Sequence, residues 1–550
     1  MEKQNKSDSG NNFIVQGSIL AVAGILVRLL GLAKRIPLYY IIGNVGNSYY
    51  SSAYDVYYLF FTISAYGIPV ALSKLVSAKI SKGEYRNADK IFKCTLKLAA
   101  FVGGLFTVVV FLFSNSLASV FKEPMSYLAV KVISFSLFFV CILSVFRGYY
   151  QGMGTMVPTA FSQLIEQIAT VGVGIAGAYF LAGYGTKVGL LLHNENYKYA
   201  YGAAGAIGGC VAGAICATVF LILLYRKNQK RIQRNIYKDP TNKLDSSLSI
   251  YRSVILTIIP IVLSSSITMI SNITDHILHN FFMELKGLEE LKSANWGVYS
   301  GQYMVLVNVV LALATAMGAA TVPTVAGHVK RKEFDIVASK VQSVIRITML
   351  VAIPAATGLA VMAPSAIFMI FSNTDPLAPN LLRIGSIGIV LFSFSTLSSF
   401  ILQGMNHLYT PIKHGLIAFA IHICLMSSLL YFTNLNTYSV AISNNVFALT
   451  MCVLNFNSIR RYLRYRQEIK KTFVLPVLCS ALMGIVVWVL NNLLQKNGYS
   501  RAKIVLIVLI GILVYGFSML FTKAIGKEEI YKFPGGRRLY GILKKFHLMQ

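Results

Sequence analysis

Apolar runs as long as a bilayer is thick recur along this whole chain, and nothing else limits its fold as strongly. The hydrocarbon core of a membrane is about 30 Å thick and a helix rises about 1.5 Å per residue, so roughly 20 apolar residues make one crossing. Fourteen crossings are expected, near 13–42, 51–79, 91–114, 126–147, 157–183, 200–225, 250–280, 297–326, 338–363, 379–403, 411–433, 438–459, 472–494 and 503–524. The runs are continuous and lack the alternation of a membrane strand, which excludes a transmembrane β-barrel. Only 13% of the 550 residues are charged, about half the share found in soluble chains. The fold class that follows is an all-α polytopic membrane protein.

A net charge of +30 would suggest nucleic acid in a soluble protein, but here the cations sit in short loops between crossings. The clusters are Lys79, Lys82, Arg86 and Lys90; Arg226 to Lys238; Lys330 to Lys332; Arg460 to Lys471; and Lys532 to Lys545 in the tail. All follow even-numbered crossings, the pattern of the positive-inside rule. Both termini are therefore expected in the cytoplasm, with membrane lipids and no nucleic acid as partners. The polar residues 1–12 and a first run of about thirty residues give no cleavable signal peptide. Seven cysteines occur singly, so neither a disulfide framework nor a zinc site follows.

The chain repeats itself. Gln151-Gly152-Met153 with Pro158 returns as Gln403-Gly404-Met405 with Pro411, offset by 252 and 253 residues. Gly83-Glu84-Tyr85 resembles Lys332-Glu333-Phe334 at an offset of 249. The expected division is a six-helix bundle over 1–235, a second over 236–465, and an appended helix pair with a basic tail over 466–550. Repeats that start on the same side are parallel, and such repeats build transporters with a site near mid-membrane.

Polar residues inside the runs are the functional candidates, because an ionised group in hydrocarbon is costly unless it meets protein, water or a partner. Arg28 lies mid-way along the first run, with Lys34 and Arg35 after it; at about 100° per residue Arg28 and Arg35 share a face. The plainer reading is snorkelling for Lys34 and Arg35 and a structural ion pair for Arg28. Arg147 closes the fourth run, and Ser162, Gln163, Glu166 and Gln167 lie within the fifth. Asp55 stands in a tyrosine-rich stretch that reads as an interfacial belt. Asp275, His276 and His279 lack a further ligand at helical spacing, so they read as satisfied polar residues at a helix end, with no metal site. The glycine-rich YGAAGAIGGCVAGA has no GK[ST] ending and is expected to pack helices closely. Kinks are expected at Pro69, Pro158, Pro260, Pro323 and Pro354.

Four segments in order, RLLGLAKRIP, TISAYGIPVALSKLVS, RGYYQGMGTMVPTAFSQLIEQ and IPIVLSSSITMISNITD, resemble the MurJ/SpoVB branch of the multidrug/oligosaccharidyl-lipid/polysaccharide exporter superfamily, particularly its Gram-positive members. The resemblance implies a MATE-like transporter that is not an enzyme. It would flip undecaprenyl-diphosphate-linked peptidoglycan precursor by alternating access, with cell-wall synthesis proteins as further partners. It places Arg28 and Lys34 in a central cavity. Arg35, Arg147, Gln163 and Glu166 join them as substrate-binding candidates, and Asp55, Glu166 and Asp275 are the coupling candidates. Relatives of the Gram-negative type carry further arginines where this chain has Thr62 and Met304. No cofactor is expected beyond membrane potential or a monovalent ion. The rival readings are another polyprenyl-linked or spore-cortex substrate, and a MATE-type ion-coupled drug antiporter.

Overall fold

The computed structural model describes residues 2–522, apart from 63, 65, 66, 242, 243, 464–466, 496 and 497. The tail cations Lys532 to Lys545 therefore lie outside the described residues. Among the described residues there is no strand, and the chain forms two compact units, Met1–Gly301 and Gln302–Gln550.

The first unit runs through α1 (Glu2–Thr62), α2 (Ile68–Ile80), α3 (Tyr85–Leu112), α4 (Ser114–Val120), α5 (Tyr127–Gly152), α6 (Val157–Leu191), α7 (Asn196–Tyr237), α8 (Ser247–Leu285) and α9 (Glu289–Val298). A π-helical stretch, Tyr299–Tyr303, follows. The second unit holds α10 (Met304–Lys330), α11 (Phe334–Val361), α12 (Ala363–Phe371), α13 (Leu377–Gly404), α14 (Tyr409–Phe432), α15 (Thr437–Leu463), α16 (Leu475–Leu494) and α17 (Arg501–Phe521). Eleven helices among the described residues are long and apolar enough to cross a membrane. The other three of the expected fourteen crossings fall on the first arm of α1, on its second arm together with α2, and on α8. These arms meet at Gly43, whose φ of 61° and ψ of −165° belong to a region that is essentially glycine's alone.

Several helices turn large apolar side chains outward, among them Phe101 and Leu112 on α3, Phe180 and Leu190 on α6, and Ile512 and Leu513 on α17. In water such a surface would be a liability; in hydrocarbon it is the required one. The cores are built round one helix in each unit. In the first, α5 packs against α1, α2, α3 and α7; in the second, α13 packs against α10, α11 and α15.

The duplication is visible in local detail. The terminal Gly152 of α5 faces Val76 and the carbonyl of Ser73, while the terminal Gly404 of α13 faces Val325 and the carbonyl of Val322. Lys79 pairs with Glu84, the N-cap of α3; His328 pairs with Glu333, the N-cap of α11. Short helices α4 and α12 follow corresponding breaks at Phe113 and Met362, with φ and ψ of −93° and 15° against −94° and 17°.

The glycine-rich segment does what its composition suggests. A Cβ on Gly177 of α6 would stand 2.6 Å from the carbonyl oxygen of Gly205 on α7, so the two helices meet backbone to backbone. Two of the expected proline kinks are corrected. Pro354 lies inside α11, but Pro69 and Pro158 sit in the first turns of α2 and α6. A ring needs no N–H there, so these two begin helices and do not bend them.

Candidate functional site

The sequence candidates of the first unit fall into two groups. Lys34 sits on the inner face of the first arm of α1, buried to 4% exposure. Its ammonium donates to the carbonyl of Ala206 on α7 at 3.2 Å and stands 5.1 Å from the centre of the Tyr50 ring. Gly174 of α6 makes room: a Cβ there would lie 3.0 Å from Lys34 Nζ. Arg35 shares the same aromatic face, its guanidinium carbon 4.9 Å from the Tyr50 centroid, and its buried Nη1 has no hydrogen-bond partner. A desolvated cation over a ring is held by the ring quadrupole. Tyr50 stacks in turn on Tyr54, and Tyr54 on Tyr58. Tyr49, Tyr50 and Tyr57 belong to the core of the first unit, which corrects the reading of this stretch as an interfacial belt. Arg28, six residues before Lys34 on the same arm, is exposed.

Arg147 at the end of α5 and Glu166 on α6 form an ion pair, Nη2 to Oε2 at 2.6 Å, and Arg147 Nε donates to Ser162 Oγ at 2.9 Å. Gln163 is half-buried beside them. Gln167 lies against Gly31 of α1, with Nε2 3.4 Å from the Cβ position of that glycine. The stretch from Arg147 to Gln167 thus links α5, α6 and the first arm of α1. Glu166 is a partnered acid within it.

The second group gathers round His276 of α8. Its Nδ1 lies 3.0 Å from Asp55 Oδ2 on the second arm of α1, and its Nε2 lies 3.7 Å from Glu123 Oε2. Glu123 is buried in the corner between α4 and α5, where the hydroxyls of Ser48 and Ser52 donate to its carboxylate. The imidazole stacks on Trp296 of α9 at 4.2 Å. Asp275 is buried on α8, and His279 pairs with Asn280, which donates to the carbonyl of Phe121. Sequence reasoning missed Glu123, Ser48, Ser52 and Trp296 as members of this group. Glu123 lies between two apolar runs, so only tertiary packing draws it inside. No cluster of three His, Cys, Asp or Glu side chains among the described residues is arranged to hold a metal.

The segment joining α7 to α8 is strapped to the α2–α3 corner: Asp239 accepts from Arg86 N at 2.7 Å, and Lys79 bridges Glu84 and Asp245 at 2.9 and 2.7 Å. The hydrogen bond from Lys79 holds the Glu84 carboxyl below its ordinary range, and His328 does the same for Glu333. In the second unit an apolar cavity of about 490 Å³ between α16 and α17 is lined by Leu478, Leu482, Val514, Phe517 and Phe521.

Residues 14–328 match the family model described as polysaccharide biosynthesis protein. The chain is 25% identical to the lipid II flippase MurJ of Bacillus subtilis over 97% of its own length and 98% of that protein. A solved structure of lipid II flippase MurJ in an inward closed conformation matches at TM-score 0.63 and 14% identity, over 92% of this chain and 98% of that one. An inward-facing MATE family multidrug transporter of the MOP superfamily matches at TM-score 0.59 and 15% identity, over 80% and 98%. The expected all-α, MATE-like fold is the observed one, and the similar proteins are flippases and transporters.

Proposed function

Since the chain belongs to the polysaccharide biosynthesis protein family, we propose that it is a flippase carrying undecaprenyl-diphosphate-linked peptidoglycan precursor, lipid II, across the bacterial cytoplasmic membrane by alternating access. A diphosphate sugar-peptide does not cross hydrocarbon unaided, because burying its charge without partners costs far more than a tail gains. The observation that carries this reading is the pair Lys34 and Arg35, sunk within a bilayer-spanning bundle, Arg35 with a nitrogen that lacks a hydrogen-bond acceptor. Such groups offer short charge-assisted hydrogen bonds to a diphosphate. Arg28, exposed at the same arm, makes the first contact, and the Arg147–Glu166 pair with Gln163 orients the sugar-peptide. The apolar cavity between α16 and α17 suits the polyprenyl tail. The near full-length relation to MurJ favours this substrate over a drug, and the two bundles 1–235 and 236–465 are the working halves, with both termini cytoplasmic.

The test is depletion of the protein in cells without a redundant flippase, with lipid II labelled from outside. Exposure should collapse, be restored by the wild type, and be restored at least ten-fold less well by Arg28→Ala or Lys34→Met. Normal exposure after depletion would remove the flippase reading. Full rescue by both variants would remove the assignment of the head-group contacts alone.

A further inference from the structure

The His276 group has no task in head-group binding, yet its geometry is that of a site awaiting something. His276 is fully buried. Its Nδ1 engages Asp55, and its Nε2 has no hydrogen-bond partner although it faces the buried carboxylate of Glu123 at 3.7 Å. With both acids ionised and the imidazole neutral, a cluster of charge −2 would be enclosed by helices, an arrangement that low-dielectric surroundings oppose strongly. The charged and titratable neighbours do not cancel it. On α1, Arg35 is within electrostatic reach of Asp55, and Tyr49 within reach of Glu123. On α8, Asp275 adds a further acid and His279 a second imidazole. On α9, Lys292 is engaged by Glu284 and Glu289.

We propose that Asp55, His276 and Glu123 form a proton-binding site, and that its occupancy is linked to the transport step. The Nδ1 hydrogen is donated to Asp55, which leaves the Nε2 lone pair facing Glu123. A proton taken up on Nε2 makes an imidazolium that donates to both carboxylates, removes one unit of buried negative charge and draws the corner at Glu123 against α8. Loss of that proton reverses each change. Proton binding stands on geometry alone; its linkage to transport rests on the flippase reading. Ser48 donates to Glu123 Oε1 and Ser52 to Oε2, the oxygen nearest Nε2, whose remaining lone pair accepts from the imidazolium.

Trp296 supplies the readout. The chain has two tryptophans, and in a Trp488→Phe background the remaining indole lies stacked on His276 at 4.2 Å and 12°. A stacked imidazolium draws electron density from the excited indole and quenches it. The purified full-length protein is titrated from about pH 9 to about pH 5, the window in which histidines beside carboxylates change charge. Emission should fall several-fold on acidification and stay flat in His276→Gln. Asp55→Asn or Glu123→Gln should move the midpoint to lower pH, because each removes a negative neighbour that favours the imidazolium. Flat emission in the Trp488→Phe protein, or a transition that survives in His276→Gln, overturns the site. So does a response to Na⁺ at fixed pH in place of a response to protons. In proteoliposomes, flipping of labelled lipid II should change several-fold with an imposed pH gradient and lose that dependence in His276→Gln. Flipping that ignores the gradient in the wild type overturns the linkage and leaves the proton site standing. No flipping under any gradient overturns the flippase reading, and the linkage falls with it.

Discussion

Arg147 and Glu166 show how a polar pair inside an apolar run is kept. The guanidinium has two acceptors, Glu166 and Ser162, and the carboxylate is only partly exposed. Removing one partner leaves the other's charge without its complement, so Glu166→Gln should cost about 1.5–3 kcal/mol. The double change Arg147→Met, Glu166→Leu should recover most of that stability while abolishing transport, since a well-packed apolar pair often matches a buried ion pair. Thermal unfolding in detergent, run beside the exposure assay, separates the two effects. Glu166 is legible because a carboxylate stands out against its run, and Arg147 because it closes the preceding run, but their pairing is visible only in the packing of α5 on α6. Glu123 is not legible, since a loop position carries no signature of burial. The tyrosines of α1 misled for a related reason: an aromatic stripe has the same spacing whether it meets lipid headgroups or a neighbouring helix.

At the scale of the helix, the first crossing and the start of the second are a single helix interrupted at Gly43. The run from 13 to 42 stopped at the right place, but apolar patterning cannot distinguish a loop from a one-residue break. A Cβ at Gly43 would meet only Tyr199, at 3.8 Å, so space is not the constraint. The backbone is: Gly43→Ala should lower stability by about 1–3 kcal/mol, measurable as a fall in unfolding temperature. The N-caps of α3 and α11 respond to acid. Glu84 and Glu333 have carboxyls held low by Lys79 and His328. The folded form therefore binds fewer protons than the unfolded one, and the stabilisation is present at neutral pH and lost as pH falls below the ordinary glutamate value of 4.5. Amide exchange at Tyr85–Asp89 and Phe334–Ala338 should accelerate in acid relative to α5. Lys79→Met and His328→Gln should each remove that dependence at its own helix.

Across the whole chain the two copies share their joints more than their chemistry. The echo of Gln151-Gly152-Met153 at 403–405 gave the repeat and its offset, and the packing of Gly152 on Val76 and of Gly404 on Val325 bears it out. Because the contacts correspond, Gly152→Leu and Gly404→Leu should destabilise alike, by about 1–3 kcal/mol from overpacking. Gly152→Ala should be the worse of the two alanine variants, with its Cβ 2.8 Å from Val76 against 3.1 Å from Val325. Yields of monodisperse protein and unfolding temperatures would show it. The charges did not follow the repeat: α10 contains no acid at all, whereas the matching arm of α1 holds Asp55. That arm is continuous, through Gly43, with the one bearing Lys34 and Arg35. On the proposed reading, the head-group cations and the proton-binding carboxylate therefore stand on one helix, on either side of its single break at Gly43.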